Sequence, residues 1–570
     1  MIILGINGIN DIFHDASASI VIDGKIVASV EEERFNRIKH TNGVPVNAIK
    51  FCLNEAKISI QDVDMIGYYL CGDTLFKNFV AEIVSKYNIN INKIKHYVKV
   101  AFQIKDIIKY IRKKFDFSKD IPCHHLNHHI CHAASAYFLS KFHESIILTV
   151  DGSGDEETIA LFYGKNGKIF KITSFLNYPY SLGFIYTVIA DFLGLGWIEG
   201  PGKLMALAAY GEPNDKLFSD IIVLKDDIKR PIEIDLSFFD YYLGGHGLSK
   251  KGERRFGVPR SPEEPFQDRH YEIAASVQYA VEKAILHLLK IIKRYYNFAN
   301  NLCYAGGMAL NILINRRIKE SNLFSNVYIP PAAYDGGTSL GAALYLASLY
   351  EDKNILETNS FNVYLGPKII KKEILFSITK YKKLYNFNYY ELDTRDLIQK
   401  VAHDLANKRI VGWVQGRMEW GPRALGNRSI LAHPGFIEIK HKLNRSIKKR
   451  EFYRPYGVSI LQEHAEEWFG IIDSPYMLYE CSVKKNFIKN IPAVIHINNT
   501  TRPQTVRYED NPIFYNLIKE FYKLTGLPLL LNTSFNRPGE PLVNTPEEIL
   551  NNFFKTELDV VVINNFYLSK

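Results

Sequence analysis

SIILTVDGSGDEETIALFYGKNGKIFKI, residues 145–172, decides the fold. It opens on an apolar run (145–150) and breaks at the polar glycine turn Asp151-Gly152-Ser153-Gly154-Asp155. A second strand-like run follows (158–163), and Asn166-Gly167 turns the chain into a third (168–172). The start of the chain repeats that layout. Residues 2–6 are apolar, a polar loop carries Gly8, His14 and Asp15, and 16–22 is apolar again. Asp23-Gly24 then turns the chain into 26–30. Two copies of one three-strand unit predict a duplicated α/β fold whose halves face each other across a nucleotide cleft.

Downstream, Val277, Val281, Ile285, Leu288 and Ile292 recur at helical spacing and predict an amphipathic helix. YAGGMALNILIN (304–315) and YDGGTSLGAAL (334–344) each read as strand end, double glycine and helix start. Such a turn lets backbone approach a phosphate or base, and the helix N-terminus favours the negative charge. Glycine-opened helices are also common without ligands, but two in tandem after a duplicated hairpin favour a nucleotide. Residues 351–371 read as a junction, with the domain boundary near 360. Beyond it the grammar changes to a strand at 410–414, an arginine-rich loop, a basic helix end and a last strand at 560–563. The expected domains are 1–360 and 361–570.

Composition bounds the class. With 47% hydrophobic and 23% charged residues the chain is globular, not disordered. Its six cysteines are scattered and form no CxxC pair, which argues against a disulfide scaffold and for a reduced cytoplasmic setting. MIILGINGINDIFHD has no basic leader and reads as a strand rather than a signal peptide. No apolar run reaches the roughly 18 residues a membrane span needs. The net charge of +9 is mild for the length, so nucleic acid is not the first reading.

Three constellations carry chemistry. In NHHICH, His128 and His132 are four apart, on one helix face, and can converge on one ion. An isolated pair at this spacing is more often two ordinary histidines. Asp151 at a strand end and Asp335 at a strand–helix junction favour the metal reading. Two imidazoles with two carboxylates suit Fe(II), Mn(II) or Zn(II). Next, His14 before Asp15 reads either as a general base with its tautomer fixed or as a turn cap. Lys39 and Lys203 read as phosphate contacts or as solvated surface. Finally, Arg417, Arg423, Lys448, Arg450, Arg454, Arg502, Asn532 and Ser534 gather cations and polar groups at turns and strand ends, as several phosphate or carboxylate oxygens require. Surface charge alone would give a similar count. RNA readers interleave such residues with aromatic stacking platforms, and no such stripe is present.

Taken in order, HDASA, VEEERFNRIKH, NHHICHAASAY, VDGSGDE, GKLMALAAYG, AGGMALN, DGGTSLGAA, GRMEWGPRALGNRSILA, KKREFYRP, TTRPQTV and LNTSFNRPGEPLV resemble the O-carbamoyltransferases of the NodU/CmcH, tobramycin carbamoyltransferase-like type. The resemblance covers nearly the whole chain. It implies an actin-like ATPase-fold (ASKHA, Kae-type) first domain and a YrdC-like α/β second domain. It also implies Fe(II) held by His128, His132, Asp151 and Asp335, with His14 and Asp15 beside the acceptor hydroxyl and Lys39 a further catalytic candidate. Lys203, Gly306, Gly307 and Asn311 would line a nucleotide. The basic set in the second domain would bind carbamoyl phosphate and ATP, with Mg2+. The implied reaction is ATP-dependent carbamoyl transfer, through a carbamoyl adenylate, to a hydroxyl of a small natural-product or sugar acceptor. A homodimer is compatible with the size. A tRNA-modifying carbamoylation enzyme and a non-catalytic nucleotide-binding scaffold are the alternatives. The chain departs from the family pattern at Ala206, where glycine is usual. It departs again at Asn498 and Asn499, which stand where an acidic residue and a glycine are common.

Overall fold

The computed structural model describes the chain except for residues 10–13, 88, 90, 246, 352–354, 359 and 360. Residue 360, where the junction is expected, lies outside the described residues. The chain forms two compact units. The first holds Met1–Glu32 and His40–Phe361, and the second holds Glu33–Lys39 and Asn362–Lys570. The stretch 33–39, inside the span read as the first domain, is therefore counted with the second unit.

The first unit is a duplicated α/β architecture. Its first sheet comprises β1 (Ile2–Asn7), β2 (Ser17–Ile22), β3 (Lys25–Glu31), β4 (Met65–Tyr68) and β5 (Cys123–His125). The second begins with β6 (Glu144–Val150), β7 (Glu157–Lys165) and β8 (Lys168–Asn177). A separate hairpin pairs β9 (Ile222–Leu224) with β10 (Ile232–Ile234), and β11 (Asn301–Ala305) and β12 (Asn326–Tyr328) complete the second sheet. The two strand orders are β3-β2-β1-β4-β5 and β8-β7-β6-β11-β12, which are the same order under relabelling. In each sheet an antiparallel three-strand meander is followed by two parallel additions. The second turns of both meanders also match. Asp23 and Gly24 have φ of 48° and 74°, and Asn166 and Gly167 have 47° and 75°. Positive φ at both central residues is the type I′ geometry that suits the twist of a two-residue hairpin, which is why Asx-Gly recurs.

Small residues decide how the halves of this unit meet. Helix Thr338–Tyr350 packs on both β1 and helix His128–Ser140. A Cβ at Gly5 would lie 1.8 Å from the Ser339 carbonyl oxygen, and one at Gly341 would lie 1.8 Å from that of Cys131. Backbone therefore touches backbone on both sides of the helix, and Asp335, just before it, is carried to His128. The expected amphipathic helix extends over Asp268–Tyr295.

The second unit is built on one nine-stranded mixed sheet. Its strands are β13 (Asn388–Glu391), β14 (Val411–Val414), β15 (Arg428–Ala432), β16 (Gly457–Leu461), β17 (Cys481–Ser482), β18 (Thr500–Val506), β19 (Leu529–Ser534), β20 (Val560–Ile563) and β21 (Phe566–Ser569). They lie in the order β13-β21-β20-β14-β15-β19-β16-β18-β17. The strand at 560–563 is followed by β21, which pairs antiparallel with it. Asn499, in the glycine position of the family turn, has φ 58°, the left-handed conformation that asparagine tolerates better than most residues. All six cysteines are free. Among the described residues no helix is long and apolar enough to cross a membrane.

Candidate functional site

Helix His128–Ser140 begins at Asn127, whose side chain accepts from the Ile130 amide. The His128 amide donates to Asp155 at 2.7 Å, and this fixes the first turn. Three histidines lie in the first five residues of the helix, and their environments separate them. His129 donates from Nε2 to the Glu157 carbonyl oxygen (2.9 Å), and its Nδ1 faces the Thr149 hydroxyl (2.7 Å). Burial and the neighbouring His128 push it down to about 3, so it stays neutral with both nitrogens engaged. His128 and His132 instead bring their Nε2 atoms 3.0 Å apart. Asp151 Oδ2 lies 3.7 Å from the first and 2.8 Å from the second, and Asp335 Oδ1 lies 3.5 and 3.6 Å away.

Four donor atoms within 4.8 Å of one another, on residues that are nearly all inaccessible, form a ready set for one divalent ion. Nitrogen and oxygen donors about 2.1 Å from a common ion stand roughly 3.0–3.4 Å apart in octahedral or tetrahedral arrangements, close to the separations seen. Burial opposes charge on His128, but Asp335 and Asp151 outweigh it and raise the imidazole to about 10. Asp151 is held well below the usual carboxylate range, because the two imidazoles overcome its burial. His132 Nδ1 has no hydrogen-bond partner among the described residues. The donor set is neutral overall with a divalent ion, and it suits Fe(II) as well as the other borderline ions.

The glycine turn predicted to approach a nucleotide abuts this centre. The Gly307 amide donates to Asp151 Oδ2 at 3.1 Å. Gly306, at φ 93°, lies so close to β6 that a Cβ would fall 2.2 Å from the Val150 carbonyl oxygen. Asn311 caps helix Ile312–Glu320, accepting from Leu313 and Ile314 and exchanging bonds with Gln278. Lys203 is half-buried on helix Gly200–Leu207.

His14 and Asp15 form a second group in the first unit, and the structure adds His40 to it. Asp15 Oδ2 lies 2.6 Å from His14 Nδ1, and Oδ1 lies 2.7 Å from His40 Nδ1. Asp15 and His40 both have left-handed φ, 62° and 55°, the kind of strained backbone that clusters at functional sites. His14 is recessed yet 45% accessible. Desolvation lowers its pKa, but Asp15 outweighs that and raises it to about 9. Asp15 is depressed in turn, its burial overcome by His14 and His40. Buried Asn7 donates to the backbone oxygens of Asp15 (3.0 Å) and Asp335 (2.7 Å), so one side chain ties this loop to a donor of the metal set. Sequence reading gave Asn7 and His40 no role; a lone asparagine at a strand end carries no local signal.

The basic set lies in the second unit. Lys39, grouped in sequence with His14 and Asp15, is counted there too, where its charge acts on Lys448. Gly457 on β16 pairs with Arg502 on β18 and with Asn532 on β19. The two side chains therefore share a sheet face about 9.5 Å apart, with no side chain between them. Ser534, two residues on, shares that face. Asn532 donates to Ser459 (2.8 Å), and its Oδ1 is buried without a partner among the described residues. Lys448 donates to Ser534 O (2.8 Å) and Asn536 Oδ1 (2.7 Å). Burial, with Arg450, Arg454 and Lys39 nearby, pushes its ammonium well below the usual range. The Arg502 guanidinium makes no hydrogen bond or ion pair among the described residues, and burial plus Arg423, Arg450 and Arg454 depress it strongly. Arg454 faces Glu451 (3.4 Å), and Arg450 stacks 3.9 Å over the Tyr456 ring. Arg417 is turned elsewhere, donating to the carbonyl oxygens of Gly366 and Leu365. The loop carrying Arg423 is built on buried Glu419, whose Oε1 accepts from the amides of Leu425, Asn427 and Arg428. This acid sits inside a motif read for its arginines.

Comparison with known sequences gives two matches in series. The pattern of the carbamoyltransferase N-terminus matches residues 4–344, and that of the carbamoyltransferase C-terminus matches residues 402–570. An uncharacterized protein of Synechocystis sp. is 36% identical over 99% of this chain and 96% of its own. Nodulation protein NolNO of Sinorhizobium fredii is 33% identical over 98% of this chain and 80% of its own. Among solved structures, component A of the (R)-2-hydroxyglutaryl-CoA dehydratase of Acidaminococcus fermentans aligns at 15% identity and a TM-score of 0.33, covering 61% of this chain and 99% of that one.

Proposed function

We propose, from the premise that this chain belongs to the carbamoyltransferase family, that it is an ATP-dependent O-carbamoyltransferase with its two half-reactions in separate units. The observation that carries this reading is Arg502, a recessed guanidinium without a partner among the described residues, surrounded by further cations. Like charges gathered under desolvation are stabilised only by an anion of matching size. Carbamoyl phosphate and the polyphosphate of ATP supply such charge.

In the second unit, carbamoyl phosphate and water give carbamate and phosphate. A carbamate oxygen then attacks the α-phosphorus of ATP, forming carbamoyl adenylate and releasing pyrophosphate. Arg502 and Arg423 offset the charge that develops on the phosphoryl oxygens. Asn532 Oδ1, an acceptor without a donor, suits the amino group of the carbamoyl moiety. Lys448 holds Ser534 and Asn536 in place and adds its charge to the field.

In the first unit, the acceptor oxygen attacks the carbamoyl carbon and AMP leaves, with atoms balancing as alcohol plus carbamoyl adenylate to carbamate ester plus AMP. His14 Nδ1 faces Asp15, so Nε2 is the atom free to take the hydroxyl proton. Asp15 orients the ring and stabilises the imidazolium that forms. His128, His132, Asp151 and Asp335 would hold Fe(II), which when bound supplies positive charge beside the phosphate of the adenylate. The Gly306-Gly307 turn supports this centre, its Gly307 amide donating to Asp151 Oδ2.

The test is to incubate the metal-loaded protein with carbamoyl phosphate and ATP and to measure pyrophosphate. Release that depends on carbamoyl phosphate is expected. Its absence, with or without a hydroxyl acceptor, overturns the reading.

A further inference from the structure

Residues 33–39 form a strap in the second unit although they lie more than 300 residues from the rest of it in sequence. The strap begins as the short helix Glu33–Asn36. Arg34, 2% exposed, pairs with Glu33 and donates from Nη2 to the Gly421 carbonyl oxygen at 2.9 Å. Gly421 stands two residues before Arg423, at the mouth of the turn built on Glu419. Arg37, held at φ 63°, reaches the other side. It donates to the carbonyl oxygens of Leu542 (2.6 Å) and Pro541 (2.9 Å) and lies 3.3 Å from Glu548. These carbonyls close the loop that leaves β19 at Ser534 and holds the Lys448 ammonium through Asn536.

We propose that this strap is a positioning element of the adenylating site, with Arg34 fixing the turn that presents Arg423 and Arg37 fixing the loop that seats Lys448 and Ser534. The proposal rests on the carbamoyl adenylate reading above. Its physical ground is twofold. A guanidinium donating to two carbonyls in one fork holds a loop in one conformation, which a single apolar contact does not. Burying a guanidinium is also costly unless it is paired, and both are paired, Arg34 with Glu33 and Arg37 with Glu548, so polar contacts rather than apolar packing specify where the strap sits. Arg37 is itself lowered, chiefly by burial, in keeping with that cost.

The experiment uses the full-length chain with Arg37→Met, Arg37→Lys and Arg34→Met. Pyrophosphate release is followed against carbamoyl phosphate concentration, with thermal unfolding and metal content measured in parallel. Arg37→Met is expected to raise KM for carbamoyl phosphate at least about tenfold and to lower kcat less, since displacing binding groups by about 1 Å can cost up to 100-fold. Arg37→Lys should recover part of the loss, and metal content should not change. A folded Arg37→Met protein with unchanged KM and kcat overturns the proposal. Arg34 is the more buried of the two, so if Arg34→Met does not fold, the half-buried Arg37 alone decides between the outcomes. If the unsubstituted protein releases no pyrophosphate, the functional reading falls. The strap is then tested by protection against thermal unfolding by inorganic pyrophosphate, which Arg37→Met should weaken. Equal protection in both proteins would sink it.

Discussion

The two sites of this protein solve opposite electrostatic problems. In the first unit, two imidazoles and two carboxylates face one another, and each charge finds its complement across 2.8–3.7 Å. In the second, Arg502 and Lys448 lie among Arg450, Arg454 and Lys39 or Arg423, and their charged forms are disfavoured. The first site has its charges paired, whereas the second, on the proposed function, holds like charges whose repulsion a bound anion would relieve. Reactivity and stability should therefore move together at the first and in opposition at the second.

The largest expected effect breaks the first site. His132→Ala should abolish metal occupancy and lower acceptor carbamoylation beyond the roughly 100-fold that losing a mere supporting partner costs. Pyrophosphate release should persist, because the second unit supplies none of the four donors. Metal analysis beside both assays checks this, and full transfer without metal would refute the site. At the second site Arg502→Met should cut pyrophosphate release by about 100-fold, the cost of losing one preorganised charge donor. The same change should raise the thermal midpoint of the ligand-free protein by about 2–4 °C, because it removes a like charge from a buried cluster. A lower midpoint would mean that the cluster is not repulsive.

A smaller effect separates the units by pH. His14 is raised to about 9 and acts as a base only when neutral, so acceptor transfer should climb about tenfold per unit from pH 7 towards 9. Pyrophosphate release should not follow the same curve. The sign for stability is the reverse. A raised imidazole contributes stability in full below its ordinary value of 6.5, and that contribution is lost as pH rises through about 9. Asp15, depressed, contributes above its ordinary 3.8 and loses that contribution in acid. Smallest of all, Asn499→Gly should change stability by less than about 1 kcal/mol, since the position already has φ 58° and glycine adopts it freely. A larger loss would show that the asparagine side chain serves the Arg502 strand.

Local pattern made the repeated meanders legible, because period-2 strands and Asx-Gly turns are written in adjacent residues. The four metal-set residues were also readable, from the HxxxH spacing and from acids at strand ends. What the sequence hid was long-range or ambiguous. Asn311 before an apolar run has the signature of a helix cap as much as of a nucleotide contact, and its side chain caps. Arg417 and Arg423 look alike in one glycine-rich loop, yet only packing sends the former to the Leu365 and Gly366 carbonyls. Glu419 is a lone acid among arginines, and nothing local announces that three amides converge on it. The membership of 33–39 in the second unit has no local signature at all.

That strap also orders events in time during synthesis. Residues 33–39 leave the ribosome before most of the first unit, but their partners at 421 and 541–548 follow roughly 380–510 residues later. At about 5–20 residues per second, the strap waits roughly 20–100 s for the chain it belongs with. During that interval two charged side chains that end up half or wholly buried have no seat. The second unit, although nearly all of it is one stretch, can reach its final form only by reaching back to a segment made more than 300 residues earlier. A ribosome-bound intermediate ending near residue 400 should thus carry residues 33–39 open to protease, and completion of the chain should close them.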